Sequence, residues 1–327
     1  MKKGYLVYII VFAVIMAVAV VLGCAFGAAP LTLEQVLKGL LGEGTEAVIV
    51  RSLRLPRVLA ALLAGGGLTV CGCALQGLFR NPMADTGILG ISSGASLGVT
   101  VCIVFLGGAA GLISLAAFVS GLLTVALIYA LSRLFKSGTT GLLLSGICVS
   151  AFLSALQNMV LMADHTKLDQ VYAFTMGSFS GADPSKLCFA APIIITGSIL
   201  TLMLSRPLNL LQTGNEQASS AGLDLRLIRA LVLLLTALIC SASVMLGGVI
   251  SFVGLIIPHC MRYLCGGDFR RLLPLSFLCG GGFMVLADLL SRTLFAPAEI
   301  PIGIFTALLG APLFFYLLAR RRDNVKS

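Results

Sequence analysis

Uncharged apolar runs longer than a soluble core needs recur along this chain, and they dictate its fold class. No Lys, Arg, Asp or Glu interrupts residues 4–33, 58–79 or 86–132. A membrane span takes roughly 20 apolar residues, and inside lipid every backbone N–H and C=O must find its partner within the chain. Runs of this length do so as helices. Ten candidate spans lie at about residues 5–28, 58–79, 87–106, 110–134, 140–162, 187–205, 228–246, 248–265, 272–294 and 303–319. The seventh and eighth nearly merge, so their connection must be very short. Charged residues make up 11% of the chain, where a soluble domain carries about 25%. The expected product is an all-α polytopic membrane protein of about ten transmembrane helices, one domain over 1–327.

Charge sorting gives an orientation. With both termini cytoplasmic, fifteen of the 22 basic residues fall on the cytoplasmic side, among them Lys2, Lys3, Arg80, Lys136, Arg262, Arg320 and Lys326. Lys38, Arg51, Arg54, Arg57, Lys167, Lys186 and Arg292 fall on the other. Cytoplasmic loops carry the Lys/Arg excess, so the net charge of +9 reads as topology and not as a nucleic-acid footprint. The apolar stretch over 6–27 exceeds the roughly 7–15 residues of a signal-peptide core. An uncleaved first span is therefore expected, despite a faint lipoprotein-like box from Val21 to Cys24. The ten cysteines lie in or beside spans without a Cys-x-x-Cys pair, and there are two histidines, His165 and His259. No metal site is expected from such a set, and the thiols read as packing groups.

Three interruptions carry the functional signal. The segment 207–229 is the longest polar stretch on the cytoplasmic side, whereas most connections take about 4–6 residues. Thr213 or Asn215 is placed to cap a short helix through Glu216 and Ala221, Gly222 to end it, and Asp224 to open a second. Helix, glycine turn and helix make a docking knob, with Gly214, Glu216, Ala221 and Gly222 its candidate contacts. On the other side, 31–53 is too polar to span, and residues 32–41 have helical periodicity suited to the interface. It runs into Arg54 and Arg57, while Arg292 follows Asp288 by one helical turn. These arginines are either snorkelling anchors or receivers of an acidic partner. The loop 163–186 holds a short helix near 172–176, either a gate over a water-filled cavity or a membrane-surface helix.

The block 247–262 combines Gly247, Gly248 and Gly254 with Pro258, His259 and Arg262. Glycine and proline weaken helices, so close backbone approach and a broken helix are expected there. Gly90, Gly94 and Gly98, four residues apart, predict tight helix contacts in lipid.

Four separated blocks together resemble one family. Arg54, Pro56 and Arg57 lead into a glycine-rich span with Gln76, then Arg80, Asn81, Pro82, Ala84 and Asp85. The second block is 208–222 and the third 247–262; the fourth holds Asp288, Arg292, Glu299, Pro301, Gly303 and Pro312. In these the chain is similar to the FecCD-like permease subunits of ABC importers for iron-siderophores, haem and cobalamin. Thr86 stands where the family's pattern has proline, which makes the start of the third span less regular. The resemblance implies a fold of ten helices in the bacterial inner membrane, with a second permease subunit, identical or related, across a central pathway. It implies cytoplasmic ATP-binding subunits coupled through 213–222, and a periplasmic or lipid-anchored substrate-binding protein docking at Arg54, Arg57 and Arg292. Pathway or gate residues are then drawn from Gln76, Asn81, Pro82, Tyr172, Met176, Pro258 and His259.

The chain has no phosphate loop of the Gly-x-x-x-x-Gly-Lys-Ser/Thr type, so it is expected to bind no cofactor of its own, with ATP and magnesium on the partner ATPase. An iron–siderophore complex is the first expected cargo, with haem or cobalamin as alternatives. A secondary transporter coupled to ions needs ionisable groups deep in spans, and Asp288 is the nearest approach. An intramembrane enzyme needs a paired nucleophile and base, which two distant histidines do not supply.

Overall fold

In the computed structural model, which describes residues 2–27, 31–42, 44, 46–135 and 138–323, each expected span finds a helix. In chain order the helices are α1 (Lys2–Ala25), α2 (Leu33–Leu41), α3 (Glu46–Val48), α4 (Leu55–Phe79), α5 (Ile91–Phe105), α6 (Ala110–Leu134), α7 (Gly138–Leu161) and α8 (Leu168–Thr175). They continue with α9 (Pro184–Met203), α10 (Ser205–Thr213), α11 (Asn215–Ser220), α12 (Leu225–Gly247), α13 (Val253–Cys265), α14 (Phe269–Thr293) and α15 (Ile302–Asp323). The ten expected spans correspond to α1, α4–α7, α9 and α12–α15; among the described residues seven of these are long and apolar enough to cross a membrane, while α5, α13 and the apolar part of α15 are shorter, and no strand occurs. Lys136 and Lys326, two of the residues in the charge split, lie outside the described residues.

The bundle is organised around α4, whose residues from Val58 to Leu78 are almost all buried. It packs against α14, α12, α13 and α9. Its small residues are what let these neighbours in. Gly65 faces Gly280 of α14, and a Cβ on Gly72 would overlap the carbonyl of Gly254 in α13. Gly94 and Gly98 of α5 lie against Thr124 and Ser120 of α6, as their spacing predicted. By contrast α1 packs on α14 and leaves Leu6, Val7, Ile10, Val14 and Val18 exposed, an outer face suited to lipid.

Three local expectations are corrected. First, the polar segment before the second span is largely helical: residues 46–79 form one helix, with a π-helical stretch over Ile49–Arg54. The widened turns directly precede Pro56, which has no N–H to close an ordinary α-helical bond. Second, an additional helix, α10, precedes the expected docking knob. Neither Thr213 nor Asn215 caps α11; Gly214, with φ of 128°, occupies that position, while the Thr213 hydroxyl turns back to the Leu210 carbonyl. The helix expected after Asp224 is the first turn of α12, capped by Asp224 accepting from the Arg226 and Leu227 N–H groups. Third, Pro258 does not break α13. The break is the connection 248–252, where Gly248 and Phe252 have φ of 70° and 69°. Proline leaves the carbonyl four residues earlier without its donor, and that carbonyl, of Gly254, is the one lying against Gly72.

Candidate functional site

At the end of the bundle where α1 finishes and α4 begins, five charged side chains join α1, the head of α4, α14 and the segment that leads into α15. Arg54 is 6% exposed and donates through Nη1 to the carbonyls of Cys24 (2.8 Å) and Ala25 (2.7 Å). Arg292 is 7% exposed and donates to the Gly23 carbonyl. The last carbonyls of a helix have no partner within it, and cations at that end also complement the helix dipole. These two arginines therefore close the end of α1. Arg57 forks between carboxylates, with Nη2 2.9 Å from Asp288 Oδ1 and Nη1 2.9 Å from Glu299 Oε1. Asp288 also lies 3.6 Å from Arg292 Nε. The exposed rim arginines pictured from the sequence are thus turned inward, because unpaired carbonyls and a buried carboxylate hold guanidinium more strongly in low dielectric than at a hydrated surface.

At the same end, α8 caps a wall of different chemistry. Whereas the exposed face of α1 is aliphatic, α7 exposes Ser154 and Asn158 beside Ala151 and Phe152. Ser154 reaches Ser93 of α5, and α8 adds exposed Gln170, Tyr172 and Met176. Main-chain hydrogen bonds fix α8 in place. Ser178 N–H donates to Gly247, Val249 N–H to Phe174, Ile302 N–H to Gly177, and Gly303 N–H to Met176. The end of α8, the break between α12 and α13, and the start of α15 thereby form one junction. Gly248 is required there: its φ is positive, and a Cβ would strike the Phe174 carbonyl.

At the opposite end, α10 is clamped to the head of α14. Asn209 Nδ2 donates to Asp268 Oδ1 (2.7 Å), and its Oδ1 accepts from the Phe269 N–H (3.0 Å). Burial pushes the Asp268 carboxyl up, but the Asn209 amide, the Arg270 N–H and the charges of Arg270 and Arg271 outweigh it and hold it below the usual carboxylate value. Gln212 donates to the Gly77 carbonyl at the end of α4. Ala218 anchors α11, leaving Glu216, Ala221 and Gly222 exposed and Gly214 half-buried. Pro82 and His259 line a cavity beside this knob. The Asn81 side chain closes a local turn by accepting from the Met83 N–H.

The FecCD transport family matches residues 15–320. This chain belongs to that family. It is 42% identical to the hemin transport system permease protein HmuU of Yersinia pestis over 84% of each chain. It is 38% identical to the cobalamin import system permease protein BtuC of Halobacterium salinarum, over 85% of this chain and 75% of that one. Among solved structures it resembles a metal-chelate type ABC transporter in an inward-facing conformation, with a TM-score of 0.85 and 33% identity, covering 96% of this chain and 99% of that one.

As a FecCD protein the chain is a multi-pass membrane subunit, the permease of an ABC importer and not an enzyme in its own right. Membership implies an ATPase, a substrate-binding protein and a second permease subunit as partners. Within this frame two pathway candidates change meaning. Gln76 is 1% exposed and donates to the Leu255 carbonyl, and Pro258 is buried. The Gln76 bond ties α13 to α4, and both side chains are buried within the chain. Tyr172 and Met176 are accessible on α8. Asp85 turns back into the bundle beside Gly254, where burial pushes its carboxyl up and Thr86 is its hydrogen-bond partner. Sequence reasoning missed Ser154 and Asn158, although polar residues four apart in an apolar helix are a readable signal. It also missed the Asn209–Asp268 clamp, which nothing in the local sequence announces.

Proposed function

We propose that this FecCD permease carries a metal held in an organic chelator, an iron–siderophore complex first, from a substrate-binding protein to the cytoplasm. The observation that carries this reading is the exposed wall of α7 and α8. Hydroxyl and amide groups facing hydrocarbon cost free energy with nothing gained, so this face belongs against a water-filled path. Ser93, Ser154, Asn158 and Gln170 offer hydrogen bonds to the polar periphery of a chelate, and Tyr172 and Met176 offer apolar contact. Haem is the second reading, supported by the 42% identity to a hemin permease; cobalamin is a further alternative.

The remaining assignments follow the same proposal. Both termini are cytoplasmic, α10 and α11 dock an ATPase that holds ATP and magnesium, and this chain binds no cofactor. Two copies form the pathway as a homodimer, and Arg54, Arg57 and Arg292 mark the face that receives the binding protein. Uptake into proteoliposomes containing the permease, its ATPase and the binding protein tests the whole. ATP-dependent accumulation of iron–siderophore is expected, with haem and cobalamin as parallel arms. Uptake driven by an ion gradient without ATP would overturn it. Lys326→Cys in a cysteine-replaced background, labelled from outside by an impermeant reagent, would overturn the orientation alone.

A further inference from the structure

A cavity of about 290 Å³ opens at the α10–α11 end, lined by Arg80, Pro82, Gln212, His259, Arg262 and Tyr263. Two guanidiniums and no carboxylate line it. Among the described residues, neither Arg80 nor Arg262 pairs with an acid. The Gln212 amide N–H is already committed to Gly77. Arg262 lies over the Phe269 ring at 5.6 Å, and its Nε and Nη2 are shut away from solvent without a hydrogen-bond acceptor. Nearby, Arg229 sits close enough to Arg80 for the two cations to repel, and its own Nε is buried and unpartnered. Buried donors left unmade cost stability, and Arg229 and Arg262 both carry that cost at this end of the bundle.

An acceptor-rich anion in the cavity would pair with the two guanidiniums that line it, Arg80 and Arg262, and offset the positive charge gathered there. Arg80 ends α4 and Arg262 ends α13, so their forks approach from different helices. A carboxylate offers two oxygens and satisfies one fork; a phosphate, with more oxygens arranged tetrahedrally, accepts from two. We propose that this cavity binds a phosphate group. The surroundings favour a phospholipid headgroup as its source. Tyr263 of the lining is exposed, and so are Leu264 and Met83, the chain neighbours of Tyr263 and Pro82, the aromatic and aliphatic mixture of a membrane interface. Basic pockets between helices on the cytoplasmic side take anionic headgroups. Free phosphate is the other source of the same chemistry.

The full-length permease, delipidated in detergent, tests this without reference to cargo. Thermal unfolding is followed with added cardiolipin, phosphatidylcholine, inorganic phosphate, or acetate at matched ionic strength, and retained lipid is counted by native mass spectrometry. Cardiolipin is expected to raise the unfolding midpoint and to stay bound, with at least tenfold weaker binding in both Arg262→Gln and Arg80→Gln. Arg80 is exposed at a helix end, so its variant remains readable if the Arg262 variant fails to fold. If inorganic phosphate reproduces the full effect, the site takes free phosphate. An equal response to acetate, no response to cardiolipin or to inorganic phosphate, or undiminished binding in Arg80→Gln would overturn the proposal.

Discussion

Arg57 meets Asp288 across 231 positions of sequence, with its Nε 3.0 and 3.1 Å from the two carboxylate oxygens and its Nη2 2.9 Å from Oδ1. The Asp288 side chain is 2% exposed and Arg57's 13%, so neither charge has water as a fallback. This is the ionisable group deepest in a span that the sequence offered to a proton- or sodium-coupled mechanism, and it is already neutralised by a neighbour.

Removing the arginine should therefore cost more than a surface ion pair. Arg57→Ala is expected to lower the unfolding free energy by about 3–5 kcal/mol, the loss that follows when a buried charge is stranded. Arg57→Lys should recover part of it, because an ammonium cannot fork between Asp288 and Glu299. Chemical denaturation in detergent reads both. Equal stability of Arg57→Ala and the parent would show that water reaches Asp288.

Arg54 and Arg292 close the end of α1, so their loss should loosen that end before it affects anything else. Cys24 is 3% exposed beside them. In Arg54→Gln with Arg292→Gln, its labelling by a small maleimide should quicken at least tenfold, in a background lacking the other cysteines. Binding-protein affinity at two ionic strengths is the second measurement. Loss confined to low salt points to direct charge contact, while equal loss at both salts points to a displaced α1.

The contact of α4 with α13 has no room for a methyl group. Gly72→Ala should prevent stable folding, because the added Cβ overlaps a backbone carbonyl that cannot swing aside. Gly87→Ala is the control, with nothing within 4 Å of the new carbon. Size-exclusion profiles of the two variants should differ, the first aggregated and the second like the parent.

The Asn209–Asp268 clamp predicts a pH dependence at the α10–α11 end. The folded Asp268 is more acidic than the unfolded one, so its contribution is present at neutral pH and lost as pH falls below about 4. Asp268→Ala should cost about 0.5–2 kcal/mol at pH 7 through the lost cap. Asp268→Asn should retain the cap and flatten the acid side of the stability curve. An unchanged curve in Asp268→Asn would remove this residue from the account.

Gly222 has φ of 84° and open space around it. A larger residue there meets no clash, yet the left-handed backbone costs it roughly 1–2 kcal/mol. Gly222→Val should re-angle the turn after α11, leaving insertion intact while ATP hydrolysis loses its coupling to uptake. Normal uptake by this variant would make the turn a passive connector.

The ten spans were legible because hydrocarbon length and backbone satisfaction leave an apolar run few alternatives, and boundaries such as Ala110–Leu134 fell where the apolar run ended. The helix Leu33–Leu41 was readable from periodicity, and the structure adds the Thr32–Gln35 capping box. What escaped were the pairings. Whether Arg57 faces water or Asp288 depends on how α4 and α14 are rotated about their axes, and uniformly apolar helices carry little signal for that rotation. Pro258 misled for a related reason: its structural consequence falls on Gly254, four residues earlier, where the freed carbonyl finds a partner helix to rest on.

The junction of α8 with 247–249 and 302–303 is built from main-chain groups. Amide and carbonyl are common to nearly every residue type, so most substitutions there leave the four bonds available. The demand placed on these positions is negative: Gly177, Gly247, Gly248 and Gly303 must lack a side-chain carbon. A mutational scan across the junction should accordingly show broad tolerance punctuated by absolute intolerance at those four sites. Alanine, the mildest replacement elsewhere, would be as disabling there as tryptophan.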